Sequence, residues 1–171
     1  MQSVKNSILF VVTIVLSINA MAQTNMDIVD VAAGSKDHTT LVTAVKAADL
    51  VTTLKSKGPF TLFAPSNNAF SKLPAGTVDN LLMPENKSKL AGVLTYHVVA
   101  GNLNAKAILA AIKKGGGKAV LTTVNGGKLS GTVVDGKVVL TDEKGGKATV
   151  TATNLEASNG VIHVIDKVLM P

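Results

Sequence analysis

The last residues of the sequence read Asn159-Gly160-Val161-Ile162-His163-Val164-Ile165-Asp166-Lys167-Val168-Leu169-Met170-Pro171, and they carry its strongest structural signal. This stretch begins with Asn159-Gly160, a dipeptide typical of a tight turn. The apolar residues that follow are interrupted only by His163, Asp166 and Lys167. Such a run is typical of a strand covered on both faces, because a half-exposed strand would alternate apolar and polar residues. The pattern predicts a buried closing strand that completes a core built earlier, with the domain boundary at Pro171.

The first residues have the pattern of an export signal. Lys5 is the only charged residue before Asp27, residues 8–18 are almost wholly apolar, and Ala20-Met21-Ala22 has the small-x-small pattern of a cleavage site. We expect a signal peptide at 1–22, cleaved after Ala22, and a secreted or periplasmic protein. The alternative is an uncleaved membrane anchor. However, the apolar stretch is shorter than the roughly 20 residues that a spanning helix needs, so we expect no membrane span after cleavage.

Residues 23–171 are long enough for one domain with its own core, and we expect a single domain there. The chain contains no cysteine. Disulfides, thiolate zinc sites and a cysteine nucleophile are therefore excluded, and stability must come from the burial of apolar surface. We expect the domain to be a monomer.

The basic charge is unusual in its composition. All 17 basic residues are lysine, the formal net charge is +6, and residues 104–150 hold eight of the lysines against Asp135, Asp142 and Glu143. One interpretation is a basic face for an anionic polymer or membrane. The other is that the lysines solvate hairpin tips and protect strand edges. A nucleic-acid partner is not expected, because arginine is absent and aromatic residues make up only 3% of the chain.

Hydrophobic spacing predicts helices first and most strands later. Helical spacing covers residues 27–57 and 85–97, and an early strand is predicted from Phe60 to Ala64. Asn104 is placed to cap a further helix. After it, short apolar runs alternate with turn dipeptides, of which Asp135-Gly136 is the strongest hairpin signal. Helices followed by antiparallel strands predict an α+β fold rather than a doubly wound sheet.

The sequence contains no pattern that indicates catalysis or metal binding. His38, His97 and His163 lie far apart, with no close pairing to suggest a metal site. Gly115-Gly116-Gly117 lacks the spacing of a phosphate loop, and the serines lie outside nucleophile motifs. We therefore expect no enzyme activity, no catalytic residue, no metal and no cofactor.

Two polar segments are candidates for ligand contact. After the early strand, Ser66 or Asn67 is placed either to cap a helical turn or to contact a ligand. Tyr96-His97 ends a predicted helix beside the apolar Val98-Val99, so the pair either anchors the structure or forms a recognition edge. Tyr96 and His97 are the candidate binding residues.

Three segments resemble, in this order, the signature motifs of the fasciclin-like domain. They are Phe60-Thr61-Leu62-Phe63-Ala64-Pro65-Ser66-Asn67-Asn68-Ala69-Phe70, Leu94-Thr95-Tyr96-His97-Val98-Val99, and the closing segment. The resemblance covers residues 27–171. It implies an α+β fasciclin-like wedge of mainly antiparallel strands packed with several short helices.

The same resemblance implies a secreted or surface-attached domain that serves adhesion or matrix interaction. In animal members the Tyr-His motif is linked to integrin binding, a role that transfers only to Tyr96 and His97. The first motif often has an acidic residue where this chain has the neutral Asn67 and Asn68. The signal segment and the absence of cysteine look bacterial, so integrins are not expected as natural partners.

The sequence therefore predicts a secreted, non-enzymatic adhesion or interaction module. It would bind a cell-surface or extracellular-matrix protein or polysaccharide at an exposed edge near Tyr96 and His97. One alternative is a carrier of a small apolar ligand, which requires an enclosed apolar cavity. Another is an electrostatic binder of anionic polysaccharide through the lysines of residues 104–150, which requires salt-sensitive affinity.

Overall fold

The computed structural model describes residues 25–171. The predicted signal peptide and its cleavage after Ala22 lie outside the described residues. The helices are α1 Ile28–Ala33, α2 Thr39–Ala47, α3 Val51–Leu54, α4 Asn67–Ser71, α5 Thr77–Leu82, α6 Lys87–Tyr96 and α7 Ala105–Lys114, with short 3-10 turns at Lys36–His38 and Pro84–Asn86. The strands are β1 Phe60–Pro65, β2 Val98–Ala100, β3 Lys118–Thr122, β4 Lys128–Val134, β5 Lys137–Thr141, β6 Lys147–Ala157 and β7 Gly160–Ile165.

The strands form one sheet in the order β2-β1-β7-β6-β5-β4-β3. Neighbouring strands are antiparallel except for β1 and β7, which are parallel and pair Phe60 with Gly160 through Pro65 with Ile165. The sheet curls until its two ends meet, because Val99 of β2 forms a bridge with Thr123, just beyond β3. The predicted α+β class with mainly antiparallel strands is confirmed.

The parallel pair β1–β7 lies between two hydrophobic cores. On one side Leu62 and Ile162 pack with buried residues of α1, α2, α3 and α6. On the other side Phe63 and Ile165 pack with α7 and the inward residues of β3–β6. Five of the six residues of β7 are buried, which confirms the prediction of a closing strand covered on both faces. No helix within residues 25–171 is long and apolar enough to cross a membrane.

Asn159 joins the start of this pair to the first helices. Its side-chain oxygen accepts the backbone N–H of Ile28 at 2.9 Å, while its amide nitrogen donates to the carbonyls of Leu54 at 2.7 Å and Ser56 at 3.0 Å. The next residue must be glycine, because a Cβ atom at Gly160 would collide with the backbone of the neighbouring strand β1. The turn dipeptide read from the sequence is thus also a tertiary junction.

The predicted hairpin between β4 and β5 is confirmed. Val134 pairs with Lys137, leaving the two-residue loop Asp135-Gly136. Both loop residues have positive φ, 50° at Asp135 and 75° at Gly136. These values are those of a type I′ turn, whose twist matches that of the flanking strands.

We expect Asn159→Ala to destabilise the domain by about 2 kcal/mol or more, because it leaves one donor and two acceptors at a partly buried junction without partners. The control is Asn102→Ala, which removes an exposed amide and should change the free energy of unfolding by less than about 0.5 kcal/mol. Urea denaturation followed by far-ultraviolet circular dichroism measures both. Equal stability of the two variants would contradict the role of Asn159.

Candidate binding surfaces

The two candidate binding residues lie inside the protein. Tyr96 at the end of α6 is 0% exposed, and the following His97 is 1% exposed. The expectation that they form an exposed recognition edge is therefore wrong, because neither side chain is accessible to a partner. Their contacts assign them the alternative role, that of anchoring the structure.

Tyr96 connects α6 to the β-strands on the far side of the second core. Its hydroxyl donates to the carbonyl of Lys128 at 2.8 Å and accepts the backbone N–H of Glu143 at 3.2 Å. Burial raises the pKa of this hydroxyl, so it stays protonated and keeps its donor. The ring lies against Gly127, where an added Cβ would come within 2.5 Å of it. The residue after the Asn125-Gly126 turn must therefore be glycine, because any Cβ atom would meet the buried ring.

His97 connects the same helix to the final segment of the chain. Its Nε2 atom accepts the backbone N–H of Leu169 at 3.0 Å, so the proton is on Nδ1, which lies 2.7 Å from the carbonyl oxygen of Val93 and donates to it. Beside it, the carboxylate of Asp142 accepts the backbone N–H of Met170 at 3.1 Å. Burial lowers the pKa of His97 to about 4, against weaker upward effects from the Val93 carbonyl and Asp142. The neutral imidazole is therefore the form that holds the final segment.

His163, on β7, is a core residue with a hydrogen-bonding role. It is 0% exposed, stacks on Phe63 with ring centroids 5.7 Å apart, and has its Nε2 atom 2.7 Å from the carbonyl oxygen of Leu103. Its Nδ1 atom accepts the backbone N–H of Asn154 at 3.3 Å. Burial lowers its pKa, so this imidazole too is held neutral.

The polar residues after β1 serve mainly as caps. Ser66 caps α4 by accepting the backbone N–H of Ala69 at 3.3 Å. The side chain of Asn67 accepts the N–H of Thr40 and donates to the carbonyl of Lys36, both at 3.0 Å, which fixes the start of α2. Capping was one of the two alternatives for these residues. A neutral amide suits the position better than the acidic residue common in the family, because an amide both donates and accepts whereas a carboxylate only accepts.

A cleft of about 650 Å³ opens beside this cap. Its lining includes Asp37, His38, Asn68, Lys72 and Asp166, and is mostly polar. The carrier alternative requires an enclosed apolar cavity, which this open, polar cleft does not provide. Within residues 25–171 no group of three or more His, Asp or Glu side chains is placed to hold a metal ion.

The outward-pointing residues of β3–β6 form a second exposed surface, called here the outer face. Their inward neighbours fill the second core, so alternate residues point to solvent. Each strand begins with an outward lysine, and most of the other outward positions are hydroxyl residues. The lysines are Lys118, Lys128, Lys137 and Lys147, and the hydroxyl residues are Thr122, Ser130, Thr132, Thr141, Thr149 and Thr151.

The charge of the outer face is not neutralised on the strands themselves. The outward positions of β3–β6 carry no acidic residue up to Thr151. Ion pairs among the described residues join Lys55 to Asp27 and Asp30, and Lys87 to Asp49, and none involves a lysine of the outer face. The lysine excess of residues 104–150 is visible in the sequence. Placing the four lysines on one face requires, in addition, the alternation within each strand and the register between strands.

The stability of the domain should fall as the pH falls from about 6.5 toward 4. Unfolding returns His97 to its ordinary pKa of 6.5, so the unfolded chain binds a proton that the folded protein takes up only near pH 4. This difference removes up to about 3 kcal/mol of the free energy of unfolding. Urea titrations at several pH values should give a shallower pH dependence for His97→Gln. Parallel profiles for the variant and the unaltered protein would contradict this assignment.

Tyr96→Phe should lower the free energy of unfolding by about 1–3 kcal/mol. It keeps the ring but leaves the Lys128 carbonyl and the Glu143 N–H without their partner. The matched control is Ser71→Ala, which removes an exposed hydroxyl bonded to the carbonyl of Asn67 and should have an effect within about 0.5 kcal/mol. Chemical denaturation distinguishes them, and a Tyr96→Phe domain as stable as the control would show that the hydroxyl bonds carry little energy.

A family model described as the fasciclin domain matches residues 36–171 of this chain. Protein sll1483 of Synechocystis sp. is 51% identical over 152 residues, which cover 89% of this chain and 77% of that protein. Immunogenic protein MPB70 of Mycobacterium bovis is 37% identical over 161 residues, covering 91% of this chain and 73% of that protein.

The fold also has a solved counterpart. A FAS1 domain pair from the insect cell adhesion molecule Fasciclin I superposes with a TM-score of 0.73 at 20% identity, covering 85% of this chain and 51% of that one. The family match spans all seven strands, the second core, the first core apart from α1, and the Tyr96-His97 pair. This chain belongs to the fasciclin domain family.

Proposed function

We propose that this protein is an exported, non-enzymatic interaction module that attaches to a component of the cell surface or extracellular matrix. The family supports this proposal, since fasciclin domains have adhesion or interaction roles. The export pattern at residues 1–22 supports a location in the periplasm or outside the cell.

The observation that carries the proposal is that the polar residues of the family motifs are bonded inside the protein, whereas the outer face is exposed to solvent. The conspicuous polar residues of the family motifs, Asn67, Tyr96, His97 and His163, are all engaged in internal hydrogen bonds. The outer face has its hydroxyl and lysine side chains turned to solvent instead. In this proposal the contact surface is the outer face rather than Tyr96-His97, and the buried pair holds the surrounding segments in place.

The absence of cysteine allows a direct test of this location. Val120 lies on the outer face and is 59% exposed, whereas Ser88 is an exposed residue near the start of α6, a helix that packs against α2, α5 and β2. The variants Val120→Cys and Ser88→Cys each provide one thiol for a maleimide-linked polyethylene glycol chain. We expect the label at position 120 to abolish retention of the protein by envelope and matrix fragments of the producing cells, because the polymer covers the outer face.

The label at position 88 should leave that retention unchanged, and so should the unlabelled Val120→Cys protein. Retention is measured by co-sedimentation with the fragments. Loss with both labels, or with neither, would contradict the assignment of the outer face as the contact surface.

A further inference from the structure

We infer that the outer face binds a linear acidic polysaccharide. This inference rests on the proposed function and names the class of partner. It is carried by the arrangement of charge, hydroxyl groups and a groove on β3–β6.

The four lysines form two pairs at opposite ends of the outer face, Lys147 with Lys128 and Lys118 with Lys137. Strand register pairs Lys147 of β6 with Thr141 of β5, and Thr141 with Ser130 of β4. Lys128 lies two residues before Ser130, so Lys147 and Lys128 are separated by two strands across the sheet and by two residues along it. Lys118 of β3 aligns with Thr132 and Val139, and has the same relation to Lys137. With strands about 4.8 Å apart and alternate residues about 6.8 Å apart, the Cα atoms within each pair are separated by about 12 Å. Positive charges spread over the face at this spacing match the repeated charges of an extended polymer, because such a polymer can contact lysines of both pairs at once.

An open groove lies on the part of this surface formed by β4, β5 and β6. It has a volume of about 410 Å³ and is lined by residues of β4, β5 and β6 together with Asp166 and Lys167. Lys147 and Lys167 supply two positive charges to it, and Asp166 supplies a single carboxylate. One oxygen of that carboxylate accepts the backbone N–H of Thr149 at 2.7 Å, which fixes it as part of the wall. A groove admits a single polymer chain but gives little contact to a flat membrane surface.

Between the lysines the surface offers hydroxyl groups and short apolar patches. Thr132, Thr141 and Thr149 line the groove beside Val134 and Val139. Hydroxyls can exchange hydrogen bonds with sugar hydroxyls, and valine methyl groups can cover the C–H faces of sugar rings.

The chemistry of the face argues against other classes of partner. The aromatic residues Phe63, Phe70 and Tyr96 are buried and Phe60 is half-buried, so the described chain has no exposed ring on which a base could stack. Nucleic acid would also favour arginine, which the chain lacks. A neutral glycan would leave the lysine charges without a counterpart.

The test uses alginate, a carboxylated polysaccharide, and dextran sulfate as probes, with neutral dextran as the uncharged control. The protein variant replaces Lys118, Lys128, Lys137 and Lys147 by glutamine. The matched control replaces the exposed lysines Lys46, Lys57, Lys89 and Lys106, which gives the same net charge and leaves the outer face intact. Circular dichroism and urea denaturation check that both variants remain folded.

At low ionic strength we expect alginate or dextran sulfate to bind and dextran not to bind. Binding should weaken steeply as salt is added, because charge pairing is screened and counterions return. The outer-face variant should raise the Kd at least about tenfold, since each removed charge weakens attraction to an anionic surface by about fivefold. The control variant should keep the Kd within about twofold of the unaltered protein.

Four results would overturn the inference. They are equal loss of binding in the two variants, equal binding of neutral dextran, no binding of either acidic polymer, and tighter binding of single-stranded DNA or of anionic phospholipid vesicles at the same salt concentration. If the label at position 120 blocks envelope retention but neither acidic polysaccharide binds, the proposed contact surface stands and only the class of partner is wrong. If acidic polysaccharide binds while the label has no effect on envelope retention, the proposed function fails independently.

Discussion

The parallel pairing of β1 with β7 organises both hydrophobic cores of the domain. Each strand has one core on one side and the other core on the opposite side, so both must be apolar along nearly their whole length. The two strands are far apart in the sequence, which makes their pairing a long-range contact that closes the chain on itself. Asn159 and Gly160 mark the beginning of the pair and tie it to α1 and α3. The residues of the family motif at the end of the chain are therefore explained by burial between the two cores and not by contact with a ligand.

The Tyr-His motif is likewise buried and serves the structure, at the end of α6 beside the second core. A hydroxyl and an imidazole buried without partners would each cost free energy, but here both ring nitrogens of His97 and the hydroxyl of Tyr96 are paired with backbone groups. These bonds hold the β5–β6 turn, the start of β4 and the final segment at fixed positions around α6. Any effect of this pair on recognition must pass through the position of those segments.

Local features of the fold were predictable from the sequence, and long-range features were not. The Asp135-Gly136 turn, the cap at Asn104 and the buried closing strand depend on residues close in sequence, and the structure confirms all three. The exposure of Tyr96 and His97 was wrongly predicted, because a helix end next to a polar turn looks like surface until the strands that cover it are placed. Likewise, the lysine excess was visible in the composition, but its gathering on one face depends on the register of four strands.

The bridge between Val99 and Thr123 has a consequence for how such domains can associate. The bridge and the hydrogen bond from the Val124 N–H to the Val98 carbonyl at 2.7 Å pair β2 with the segment that follows β3, and the short edge strand β3 begins with a charged lysine, which disfavours the addition of a strand. Partners are therefore not expected to dock by β-augmentation, nor copies of the domain to stack edge to edge into fibres. The domain can in this way expose the broad outer face of its sheet while its backbone edges disfavour self-association.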